Sequence, residues 1–130
     1  MASFRTPLSR ARGLGSAKRG AEHWIGERVS AIALIPLIIW AVYSALTLAA
    51  GDYQTAVTWL QSPVNAVLTV LLIAVGFWHM HSGLRAVIED YVDKTLTRSG
   101  VLILNLFVCA LGAGLAIFSV VKVAILGGTF

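Results

Sequence analysis

Charge is scarce in this 130-residue chain: 12% of residues are Asp, Glu, Lys or Arg, against 58% hydrophobic, and the mean hydropathy is +0.82. That composition excludes a soluble domain, which needs a charged surface over its core. Cysteine is scarcer still. Cys109 stands alone in the middle of an apolar run, so there is no internal disulfide and no metal-ligand spacing, and a buried apolar thiol is expected. The glycines of 13–20 lack the Walker spacing, and no strand precedes them. The basic residues near the start have no aromatic platform around them, which argues against nucleic acid as a partner.

What the chain has in quantity is long apolar runs. Three of them, at about 29–50, 64–88 and 101–126, are each long enough to cross a bilayer, which takes about 20 residues. The predicted fold class is an all-α membrane protein with three transmembrane helices: a flexible basic tail over 1–20, then a membrane anchor over 21–130. The runs leave no room for a separate soluble catalytic domain. Arg5, Arg10, Arg12, Lys18, Arg19 and Arg28 precede the first span, and Lys94 and Arg98 follow the second, whereas loop 51–63 carries Asp52 and no basic residue. By the positive-inside rule the N-terminus is cytoplasmic and the C-terminus outside; Lys122 can snorkel to the outer interface. The basic tail suits anionic membrane lipid. Residues 46–51 resemble a signal-peptidase site, but the run before them is longer than a signal core, so the helix is retained.

Glu22, His23, Glu27 and Arg28 cluster at the entry to the first span beside Trp24, an interfacial residue. Arg28 has two readings there: an interfacial anchor, or an inward fork pairing with an anion. Ser30 is placed to bond backbone or a neighbouring helix. Pro36 predicts a kink that neighbours must accommodate. Trp40 and Tyr43 read as packing or lipid contacts. Loop 51–63 predicts a short amphipathic turn, with Pro63 starting the second helix. In the third run, Ala110 with Gly114 and Gly112 with Ala116 are small pairs four apart that permit close helix approach.

The stretch 77–93 concentrates the chemistry. Ionisable residues inside a span are costly and suggest a site. At about 100° per residue, Leu72, Gly76, His79, Gly83, Ala86 and Asp90 share one stripe, while His81 lies about 200° from His79. Gly83, one turn after His79, lets a flat bulky group approach the backbone. His79 can therefore be a hydrogen bond to another helix, an axial metal ligand or a proton relay. Arg85 can reach headgroups or an anionic cofactor edge. Glu89 and Asp90 sit at a helix C-terminus, where acids oppose the macrodipole and call for a compensating cation. Tyr91 is either an aromatic-belt residue or a phenol donating to a carbonyl oxygen such as a quinone's.

His79, Gly83, Asp90 and Tyr91 keep a spacing that resembles the hydrophobic membrane-anchor subunits of bacterial succinate dehydrogenase, respiratory complex II. The run His23-Trp24-Ile25-Gly26-Glu27-Arg28-Val29-Ser30, continuing to Leu37, is similar to that family's entry into its first helix. The resemblance covers about 15–126, with Glu27 where many relatives carry Gln and His81 where many carry a small residue. It implies that His79 is an axial ligand of a b-type haem whose second histidine comes from the sister cytochrome b subunit. It implies that Tyr91 hydrogen-bonds ubiquinone, that Asp90 beside it holds an arginine of the sister subunit, and that Arg28 lies near a haem propionate. The chain has no second well-faced histidine, so the iron needs a partner subunit. Flavin and iron–sulfur chemistry must lie in partner flavoprotein and iron–sulfur subunits, because their binding motifs and cysteines are missing. The implied function is to anchor that pair at the bacterial inner membrane for electron transfer from succinate to ubiquinone. Alternatives are the anchor of a quinol:fumarate reductase and a small proton-relay or transport subunit using His79, His81 and Arg85.

Overall fold

The computed structural model describes residues 6–13 and 20–127, all helical apart from the connections. The order is α1 (Pro7–Ala11), α2 (Gly20–Leu48), α3 (Tyr53–Gln61), α4 (Pro63–Tyr91) and α5 (Thr95–Leu126). Of the tail expected over 1–20, the described part forms the short α1; the remainder, including 14–19, lies outside the described residues. Among the described residues, three helices are long and apolar enough to cross a membrane: Trp24–Leu48, Pro63–Tyr91 and Thr95–Leu126.

The helices overrun the apolar runs where nothing stops them. Between Glu89 and Ser99 there is neither Gly nor Pro, so α4 continues to Tyr91 and α5 starts at Thr95. A tight reversal over 92–94 remains, and the Val92 N–H donates to the Ile88 carbonyl to close α4. Loop 51–63 forms a full helix, α3. Asp52 caps it by accepting from the Thr55 N–H at 2.9 Å and from the Thr55 hydroxyl at 2.7 Å. At its other end, the Asn65 amide donates to the Trp59 carbonyl at 2.9 Å, and Pro63 opens α4, where its missing N–H costs nothing.

Helix α4 is the central element, packed along α5 and along α2, while α3 lies across the ends of α4 and α5. Val57 of α3 is buried, Trp59 stacks on Trp40 of α2 with centroids 5.6 Å apart, and the Gln61 side chain reaches Gly127. Gly127 ends α5 at φ 65°, a left-handed conformation that glycine adopts without a Cβ penalty. The three long helices run up, down and up. Glu27, Arg28, Arg85, Glu89, Asp90, Asp93, Lys94 and Arg98 gather toward one end, and the other carries Asp52 and Lys122.

The interior is small and polar rather than large and apolar. Its most buried residues are Ser30, Ser44, Val57, Ser82, Asn105 and Cys109, while Ile, Leu, Val and Phe side chains of the long helices face outward. In water this would be an unstable inversion. Hydrocarbon supplies no hydrophobic drive between helices, so close contact over small residues and hydrogen bonds holds the seams instead. Gly112 shows the closeness: a Cβ there would stand 2.6 Å from Phe77 Cε1.

Candidate haem-ligand and quinone residues

Two histidines of α4 reach in different directions, and each finds a different helix. The Ser30 hydroxyl of α2 donates to the Glu27 carbonyl at 2.9 Å and lies 3.0 Å from His79 Nδ1. A serine hydroxyl carries one proton. With that proton on the carbonyl, the oxygen offers the ring lone pairs, so His79 Nδ1–H is the donor. A neutral imidazole protonated at Nδ1 leaves Nε2 as a bare lone pair. Among the described residues no buried side-chain nitrogen or oxygen lacks a partner. Nε2 of His79 has none among them, so it reaches the chain's own surface.

His81 is set the other way. Asn105 of α5 places its Nδ2 3.1 Å from the His81 carbonyl oxygen and 3.1 Å from His81 Nδ1. A carbonyl only accepts, so the atom between them is the amide nitrogen, and its second proton goes to Nδ1. The Cys109 thiol donates to Asn105 Oδ1 at 3.4 Å, which fixes the same amide orientation. His81 Nδ1 is therefore the acceptor and Nε2 carries the proton. His81 also lines an apolar groove of about 500 Å³ between α4 and α5, with Phe77, Trp78 and Cys109.

The remaining candidates are spread along α4. Gly83 follows His79 by one turn, and a Cβ on it would meet nothing within 4 Å; that side of the helix is open in this chain. Tyr91 is 83% exposed and Asp90 is exposed beside it, with no ion pair for Asp90 among the described residues. His79 and Tyr91 are twelve residues apart on one helix, about 18 Å at 1.5 Å per residue, so they belong to two sites. Arg28 is exposed, its guanidinium 5.5 Å from the Trp24 ring centroid, a cation–π geometry. Arg85 pairs with Glu89 at 2.8 Å on the exposed face; this supplies, from the same helix, one of the cations that the C-terminal acids require. The side chains of Glu22 and His23 lie outside the described residues.

Among the described residues no three His, Cys, Asp or Glu side chains come together. In the sequence Ser30 is expected to bond, without an indicated partner, and Asn105 carries no expected role. An amide inside a 32-residue apolar helix is the available signal, since such a group requires a partner on a neighbouring helix.

The family described as succinate dehydrogenase/fumarate reductase transmembrane subunit matches residues 2–121. A succinate dehydrogenase hydrophobic membrane anchor subunit of Rickettsia conorii is 32% identical over 107 residues, covering 82% of this chain and 85% of that protein. A protein of the same description from Paracoccus denitrificans is 31% identical over 105 residues, covering 78% and 79%. A succinate dehydrogenase membrane anchor subunit of Reclinomonas americana is 29% identical over 84 residues, covering 62% and 70%.

Proposed function

The chain belongs to the succinate dehydrogenase/fumarate reductase transmembrane subunit family, and from that premise we propose that it provides one haem-ligating imidazole and one wall of a quinone site. It is a membrane-anchor subunit, as its relatives are described, and is not an enzyme alone. In this reading it sits in a bacterial inner membrane with the N-terminus and the charged end of the bundle cytoplasmic. There it meets the sister cytochrome b subunit, the iron–sulfur subunit and the flavoprotein subunit. The relatives carry the succinate dehydrogenase description, which favours succinate oxidation over fumarate reduction.

The observation that carries the proposal is the geometry at His79: Nδ1 lies 3.0 Å from the Ser30 hydroxyl, which itself reaches the Glu27 carbonyl, and Nε2 has no partner among the described residues. A ligating imidazole needs one nitrogen free and unprotonated and the other engaged, and this arrangement suits that role better than that of His81, whose Nδ1 faces the Asn105 amide nitrogen and whose Nε2 then carries the proton. Gly83 leaves the adjacent backbone uncovered for a flat macrocycle, so the residues present fit a haem. A haem held there supplies one-electron redox chemistry, tuned by its axial ligands and their hydrogen bonds. Arg28, at the charged end of α2, is the residue of this chain proposed to neutralise a propionate. The exposed Tyr91 is proposed to donate a hydrogen bond to a ubiquinone carbonyl oxygen, and Asp90, without an ion pair among the described residues, to hold an arginine of the sister subunit.

A relay through His79, His81 and Arg85 has less support: the three side chains engage Ser30, Asn105 and Glu89 separately. The test is the intact complex with its partner subunits. Tyr91→Phe should slow succinate-driven ubiquinone reduction about tenfold, the scale of one lost hydrogen bond, with the haem spectrum unchanged. A full quinone-reductase rate in that variant removes Tyr91 from the site.

A further inference from the structure

We propose that Ser30 is the positioning residue for the haem ligand: its hydroxyl, polarised by the Glu27 backbone carbonyl, fixes the orientation and tautomer of His79 and thereby sets haem affinity and potential. The proposal rests on the reading of His79 as an iron ligand. Three atoms lie in sequence, His79 Nδ1 3.0 Å from Ser30 Oγ and Ser30 Oγ–H donating to the Glu27 carbonyl over 2.9 Å; with the hydroxyl proton so used, the chain is directed from His79 Nδ1–H to the carbonyl. Ser30 is 5% exposed, so no solvent or lipid headgroup replaces it. A hydroxyl that is itself donating becomes a better acceptor. The imidazole it receives from is then a stronger electron donor at Nε2, which favours the oxidised iron.

Removing the hydroxyl leaves Nδ1–H facing an apolar seam without a partner. The ring can then turn, or move its proton to Nε2, and either change competes with ligation. Loss of such an outer partner typically weakens metal affinity by about 10- to 100-fold. A mere interhelical tie between α2 and α4 makes a different prediction: the variant would be less stable, but bound haem would keep its potential. Threonine separates the two, because its Oγ1 in a helix also bonds the carbonyl three or four residues back and so keeps the directed chain.

The experiment is a redox titration of the haem in the purified complex, with the haem-to-flavin ratio measured on the same samples, for wild type, Ser30→Ala, Ser30→Thr and His79→Ala. Succinate-to-dye activity serves as the assembly control. The expected result is a higher midpoint potential and reduced haem retention in Ser30→Ala, with both restored toward wild type in Ser30→Thr and the low-spin spectrum lost in His79→Ala. An unshifted potential in Ser30→Ala, with His79→Ala still losing the spectrum, overturns the role of Ser30 and leaves His79 as ligand. An unchanged low-spin spectrum in His79→Ala overturns the ligand reading and this proposal with it.

Discussion

Helix α4 is tied to α2 by one histidine and to α5 by another two residues later, and the two ties have opposite polarity. With the protons so assigned, the ring at the α2 seam donates a hydrogen bond to a serine, and the ring at the α5 seam accepts one from an asparagine amide. The surroundings differ in the same sense. Gly112 in the α4–α5 seam is filled by Phe77, whereas Gly83 in the turn after His79 has nothing beside it. The α4–α5 seam is tightly packed at Gly112, although a groove opens beside His81, and the turn after His79 is open. The difference shows that identical side chains two residues apart can meet different helices, His79 facing Ser30 of α2 and His81 facing Asn105 of α5, and this is what the proposal of separate roles rests on.

The largest expected effect comes from filling the two glycines. Gly112→Leu should destabilise the bundle by about 1–3 kcal/mol, as overpacking does in close-packed cores, and Phe77→Leu in the same chain should recover part of it; unfolding of the solubilised complex measures both. Gly83→Leu should leave stability unchanged and lower haem content instead. Equal loss of stability from both variants breaks the comparison. Next in size, Asn105→Leu should cost about 0.6–1.7 kcal/mol, the range for interhelical hydrogen bonds in bilayers, and leave the haem spectrum as it is.

The three helices and the stripe bearing His79, Gly83 and Asp90 are legible in the sequence because length, hydropathy and a 100° period are local properties. The pairing of Ser30 with His79 is not, since it joins residues 49 apart and depends on which face of α2 meets α4; three apolar helices with outward-facing Ile, Leu and Val give no unique register. Helix α3 exceeds the short turn expected there because its stability comes from the Asp52 cap and the Trp40–Trp59 stack, one of them a contact across the chain. Arg85 is ambiguous in sequence, and its ion pair with Glu89 follows the ordinary spacing of one helical turn.

Smaller effects sharpen the contrast between the buried seams and the exposed surface. Glu89→Gln should change stability by at most about 0.5 kcal/mol, because exposed i,i+4 pairs contribute little, and salt titration should abolish even that. At the opposite end of the bundle, the Thr55 hydroxyl and then its N–H hold the Asp52 carboxyl below the usual carboxylate range. A lowered folded pKa means the cap's contribution is present above the unfolded value and lost as pH falls through the folded one. Amide exchange at residues 55–57 should therefore lose protection in acid, relative to the intrinsic exchange rate at each pH, and Asp52→Asn, which keeps a capping oxygen, should remove that pH dependence.

The central claim, that the two histidines have different roles, is tested most directly by the reduced-minus-oxidised spectrum of the intact complex carrying either His79→Ala or His81→Ala. The b-type band is expected to be lost with His79→Ala and to persist with His81→Ala. A band that survives the first substitution and disappears with the second would contradict the claim.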